Sequence, residues 1–103
     1  MALIKKVNVL DYVPFTTSAK QPIRDRWVVD VEHLTVLETC QAYGVKLVEL
    51  VEDGITQGID ICHRNGRVLG HVTWWGNPTW LHEILTDLAE LVAEPAKYGL
   101  NRA

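Results

Sequence analysis

At 103 residues, with 48% of them hydrophobic and 22% charged, the chain is sized for one small folded domain, 1–103, and excludes both a pair of domains and a disordered composition. Its net charge is −3 and its 10 basic residues are scattered, which argues against the basic patch that captures a nucleic-acid backbone. No apolar run approaches the ~20 residues of a membrane span, and Cys40 and Cys62 form neither a disulfide framework nor a C-x-x-C pair.

Lys5 and Lys6 interrupt the first apolar run, unlike the ordered regions of a secretory leader, so a cytoplasmic protein with reduced cysteines is expected. Residues 3–13 are β-rich, with Val7, Val9 and Val13 alternating against Asn8 and Leu10, and are read as a partly buried strand. Residues 14–26 carry Pro14, Pro22, Thr16, Thr17 and Ser18, a composition that breaks regular structure and reads as a long loop. Residues 27–30 form a short β-branched strand, after which Asp30 is placed to cap a helix starting at Val31. Leu34, Leu37, Cys40 and Tyr43 recur at helical spacing, and Gly44 supplies the C-terminal stop.

Two hairpins follow. Asp53-Gly54 joins the apolar run 45–51 to a strand over 55–64, and Asn65-Gly66 then reads as a two-residue type I′ turn leading into 67–75. The last helix takes Asn77 as N-cap, Pro78 at its first turn and Pro95 beyond its end, with Leu81, Ile84, Leu85, Leu88, Leu91 and Val92 as its buried stripe. The order implies an α+β fold, a two-layer sandwich in which a mostly antiparallel sheet of about four or five strands, including a three-stranded meander, packs two helices on one face.

A two-residue loop at Asn65-Gly66 sets Arg64 opposite Arg67, Cys62 opposite Leu69, Asp60 opposite His71 and Gly58 opposite Thr73, all on the sheet's outer face with Trp75 following. Asp60 orienting His71, with Cys62 as a nearby nucleophile, is the sharpest catalytic constellation, since a carboxylate fixes an imidazole's tautomer and raises its basicity. Opposed charges on adjacent strands also stabilise a sheet without doing chemistry, and that plainer reading weighs more. Trp74 and Trp80 are expected to staple the last helix to the sheet. Trp75 is expected to lie under the 14–26 loop or, alternatively, to form with Leu69 and Val45, flanked by Arg64 and Arg67, an apolar patch that a second chain covers.

No phosphate-cradling glycine loop and no nucleophile elbow is present, and His82-Glu83 lacks the second histidine of the H-E-x-x-H motif, so no metal and no cofactor is expected. Glu83, Asp87, Glu90 and Glu94 line one side of the last helix without an intervening lysine, a solvated face or a docking surface for a basic protein partner. The functional expectation is a non-enzymatic protein acting by protein–protein contact, a homodimer or a small accessory or inhibitor protein. Its alternative is a small-ligand-binding domain or acid–base enzyme using Asp60 and His71, with Arg64 or Arg67 gripping an anion. Neither nucleic acid nor membrane is expected as a partner.

Overall fold

The structure is a computed structural model that describes residues 5–17 and 24–102. Its strands are β1 (Lys6–Asn8), β2 (Phe15–Thr16), β3 (Val28–Asp30), β4 (Lys46–Glu52), β5 (Ile55–Cys62) and β6 (Val68–Thr73), and its helices are α1 (Leu34–Tyr43) and α2 (Trp80–Ala93). β4, β5 and β6 form the expected antiparallel meander in a sheet ordered β2-β4-β5-β6, while β1 and β3 pair as a separate antiparallel ribbon. Leu47, Ile59, Ile61 and Val72 from one sheet face share a single core with Leu37, Cys40, Ile84, Leu88 and Leu91 of the helices. The fold is thus the α+β arrangement that the periodicities imply.

The local departures have identifiable causes. The first strand stops at Asn8, whose side-chain oxygen accepts the Leu10 N–H and starts a 3₁₀ turn over Val9–Asp11. Val9 and Val13 are buried as expected, but by a helical turn in which Val13 N–H donates to the Val9 carbonyl rather than by strand alternation. The segment read as loop contains β2, which pairs parallel to β4, so the sheet is mixed. That parallel pairing is reached through a crossover carrying α1, as parallel neighbours require. Asp30 makes no cap; Lys6 binds it instead, holding its carboxyl below the ordinary range by hydrogen bond and charge, and α1 starts at Leu34 after a 3₁₀ turn.

One hairpin turn matches expectation and the other does not. Asp53 and Gly54 both have positive φ, at 53° and 74°, and close the two-residue turn between β4 and β5. Around Asn65 only Gly66 has positive φ, at 96°. His63 N–H donates to the Arg67 carbonyl and Gly66 N–H to the His63 carbonyl, the pattern of a wider turn closed by a glycine bulge. Asn65 stabilises it through its side chain and amide: its Oδ1 accepts from Arg67 N–H and its N–H donates to His63 Nδ1.

That wider turn changes the facing residues at one end of the hairpin. Asp60 opposes His71 and Gly58 opposes Thr73, as expected, but a bulge after Ile61 pairs Cys62 with Val68. Val68 is therefore the exposed residue, and Leu69 packs against the core. α2 starts at Trp80 with Thr79 before it, so Asn77 is not its N-cap and Pro78 lies outside it; Asn77 Oδ1 instead accepts from Thr79 N–H in the turn that precedes the helix. The C-terminal ends of the helices do follow the sequence signals. Gly44, at φ 74°, ends α1 by donating to the Cys40 and Gln41 carbonyls, and Pro95 follows the end of α2.

Candidate functional site

The outer face of the four-stranded sheet carries Lys46, Val48 and Leu50 from β4, Gly58, Asp60 and Cys62 from β5, and Val68, His71 and Thr73 from β6, by alternation and the observed pairing. At its centre, His71 Nδ1 lies 2.7 Å from Asp60 Oδ1, with the His71 side chain 48% exposed and that of Asp60 17%. An Asp60 acceptor fixes the proton on Nδ1 and leaves Nε2 of a neutral ring as the free nitrogen. The imidazole lies across the neighbouring strand, directly over Gly58, where a side chain would meet it.

Cys62 does not complete a catalytic trio. It is 3% exposed, and its thiol is pushed above its ordinary value by burial and by the Asp60 carboxylate, against a smaller opposing effect of Lys46. A thiol held in its protonated form is a poor nucleophile. Cys40 is further removed from reactivity, buried in the core on α1 and pushed up to about 12 by that burial.

The basic and apolar residues expected to flank this centre are committed elsewhere. Arg67 donates to the Tyr98 carbonyl and Arg64 packs its aliphatic stem on Gly44, so both fasten the hairpin to neighbouring backbone. His63, on the inner side, contacts the Gly99 carbonyl through Nε2 at 3.0 Å. Val45 is fully buried and Leu69 is covered, which removes both from the expected apolar patch. Trp75 remains exposed at 62%. It stands beyond the end of β6, in a turn closed by Asn77 N–H on the Trp74 carbonyl, with Gly76 at positive φ. Trp74 and Trp80 do staple α2 to the sheet, with ring centroids 6.3 Å apart.

Two clefts lie away from Asp60 and His71. One, of about 410 Å³, runs between the helices and is lined by His33, Val36, His82, Leu85, Thr86, Ala89, Glu90 and Ala93. Composition gave no signal of it, since its floor joins the solvent edges of two helices whose approach no periodicity encodes. The smaller, of about 120 Å³, lies between β6 and α2 and is lined by Leu69, Gly70, Asp87, Glu90, Leu91 and Tyr98.

The acidic row is not uniformly solvated. Glu83 is tied to Asn77 and Thr79 at the start of α2, Glu90 is exposed, and Asp87 is half-buried beside Gly70. Burial first, then the Glu90 and Glu83 carboxylates, raise the Asp87 carboxyl above its ordinary 3.8. The folded chain thus holds this proton more tightly than the unfolded chain. Asp87 supports folding below its unfolded value, and that contribution is lost as pH rises through the higher folded value. The stability difference between Asp87→Asn and wild type is expected to grow in the variant's favour above about pH 4 and then level off. Urea unfolding at stepped pH checks this, and a difference independent of pH contradicts it.

Among the described residues, no group of three or more His, Cys, Asp and Glu side chains is arranged to hold a metal ion. No described helix is long and apolar enough to cross a membrane. No protein-family model matches the chain, and neither curated proteins nor solved structures show a significant similarity to it, so its function is argued from its own surfaces.

Proposed function

We propose that this chain is an interaction module that pairs with a second copy of itself through the outer face of its four-stranded sheet. The observation that carries the reading is the one-sided packing of that sheet among the described residues. Both helices contribute to the core on the inner face, while the outer face leaves Leu50 and Val68 exposed at 37% and 53%, with Trp75 at its end. A sheet face with this apolar content is the kind of surface that a partner covers. The second copy is favoured by the charges: Lys46 and Asp60 share the face two strand-positions apart, so a two-fold axis between copies brings each cation toward the other copy's carboxylate.

The Asp60–His71 pair belongs to the same surface. Neither cleft reaches it, and an acid–base site needs a concavity that holds a substrate within hydrogen-bond distance of the base. This supports contact with another protein over catalysis. Light scattering coupled to size exclusion, over a range of concentrations, is expected to show a wild-type dimer, and folded monomers for Leu50→Asp and Trp75→Asp with unchanged circular dichroism. A wild type that stays monomeric throughout sinks the proposal, as does a dimer that survives both substitutions.

A further inference from the structure

A second surface lies on the opposite side of the molecule. The long cleft between the helices uses His82, Leu85, Thr86, Ala89, Glu90 and Ala93 of α2, positions recurring at intervals of three and one, which is a continuous stripe along three turns. At about 1.5 Å per residue this stripe runs roughly 16 Å. Its floor is aliphatic and shallow at Ala89 and Ala93, and Val36 of α1 forms the opposite wall.

The charge around it is mostly negative. Neither α1 nor α2 contains a lysine or arginine, whereas together they carry Glu38, Glu83, Asp87 and Glu90. Glu32 stands beside the lining residue His33, 75% exposed and 3.8 Å from the imidazole, and Glu94 stands beside the lining residue Ala93. Lys97, paired with Glu94 at 3.9 Å, is a local cation. Among the described residues no lysine or arginine pairs with Glu83, Asp87 or Glu90, and Asp87 feels the repulsion of the other two. Like charges at intervals of three and four on one helix are unfavourable, and a cation from outside relieves them.

We propose that the cleft between α1 and α2 docks a basic amphipathic helix of a partner protein. The partner's aliphatic stripe lies over Val36, Leu85, Ala89 and Ala93, and its flanking lysines or arginines meet Glu90 and, over the crest of α2, Asp87 and Glu83. A helix suits the site because its length and the small residues of the floor let two helical surfaces approach closely. The proposal rests on the interaction reading only in treating the chain as a binding module; it uses the face opposite to the self-pairing surface.

The test uses the full chain and a dye-labelled Leu/Lys helical peptide of about 14 residues, with a rearranged peptide of the same composition whose apolar stripe is destroyed. Fluorescence anisotropy is expected to show saturable binding of the amphipathic peptide. Binding is expected to weaken at least about tenfold, or 1.4 kcal/mol, with Ala89→Arg and with the exposed substitution Glu90→Lys. Leu50→Asp, on the outer sheet face, is expected to leave it unchanged. Absence of wild-type binding, equal binding of the rearranged peptide, or undiminished binding to Glu90→Lys each overturns the proposal. A wild-type dimer lost in Ala89→Arg but kept in Leu50→Asp overturns it too, by assigning the cleft to a second copy. Failure of self-pairing leaves this result intact, so the two readings are separable.

Discussion

Replacing Trp27 by alanine is expected to destabilise the protein by about 3–5 kcal/mol, a substantial part of the roughly 5–15 kcal/mol that holds a domain of this kind folded. Trp27 is 3% exposed and occupies the join between elements distant in sequence. Its ring lies 5.3 Å from Phe15 on β2 and 4.8 Å from Trp80 at the start of α2, the latter edge-on at 71°. Trp80 in turn meets Trp74 beyond β6. Trp27 therefore links β2 to the last helix, and Trp80 carries the row on to Trp74. β2 has only the pairs Phe15–Leu47 and Thr16–Val48 to hold it in the sheet, so little backbone pairing compensates when the ring contact is lost. Urea unfolding followed by far-ultraviolet circular dichroism avoids the fluorescence change that removing a tryptophan causes. A cost below about 1 kcal/mol would mean the cavity collapses without loss, contrary to a close-packed aromatic row.

Trp27 also shows where the sequence was informative and where it stopped. A short strand after Trp27 was legible, because local composition encodes it. Its burial was not: in β3 only Val29 is buried, Val28 and Asp30 are exposed, and Trp27 is buried from a 3₁₀ turn that precedes the strand. Of the aromatic row only the Trp74–Trp80 contact was legible; the contacts of Trp27 with Phe15 and Trp80 were not, because they depend on how distant elements meet. The ends of the helices were readable wherever a single residue supplies the stop: Gly44 reaches its left-handed conformation without a Cβ penalty, and Pro95 cannot continue α2. The start of α1 was misread because Asp30 has a stronger partner in Lys6 than in the helix amides.

For the candidate site the pairing of Asp60 with His71 was legible from hairpin alternation, yet through a turn of the wrong type. The bulge that widens the turn lies between the turn and His71, so its extra residue is absorbed before the strand reaches the site. Leu69 is the residue that this bulge leaves unpaired between Val68 and Gly70, so its expected place opposite Cys62 was wrong. Asn65 gave the misleading signal: its side chain and its contact with His63 satisfy the loop without the left-handed backbone that a type I′ turn demands. The inter-helix cleft had no sequence signature at all, since Val36, Ala89 and Ala93 sit between the core stripe and the solvent face on their helices.

Gly58→Ala is expected to cost about 1–3 kcal/mol, although alanine in a strand ordinarily gains a few tenths over glycine. A Cβ at this position would sit 2.5 Å from His71 Cε1 and 2.9 Å from the Val72 carbonyl oxygen. The imidazole has limited freedom to retreat, because its Nδ1 is held by Asp60 at 2.7 Å, and the carbonyl belongs to the backbone of the β5–β6 ladder. The two obstacles are separable by a double-mutant cycle with His71→Ala, whose own cost is expected to stay below about 1 kcal/mol for a half-exposed side chain. Partial recovery in the double variant assigns part of the clash to the ring and the rest to the backbone. Strict additivity would instead mean that the ring swings clear, and the Asp60–His71 geometry would then be one orientation among several. A neutral or stabilising Gly58→Ala would remove the steric reason for glycine here altogether. The cycle therefore measures how firmly the sheet holds His71 across Gly58, the property on which any role for this hydrogen-bonded pair at an interface depends.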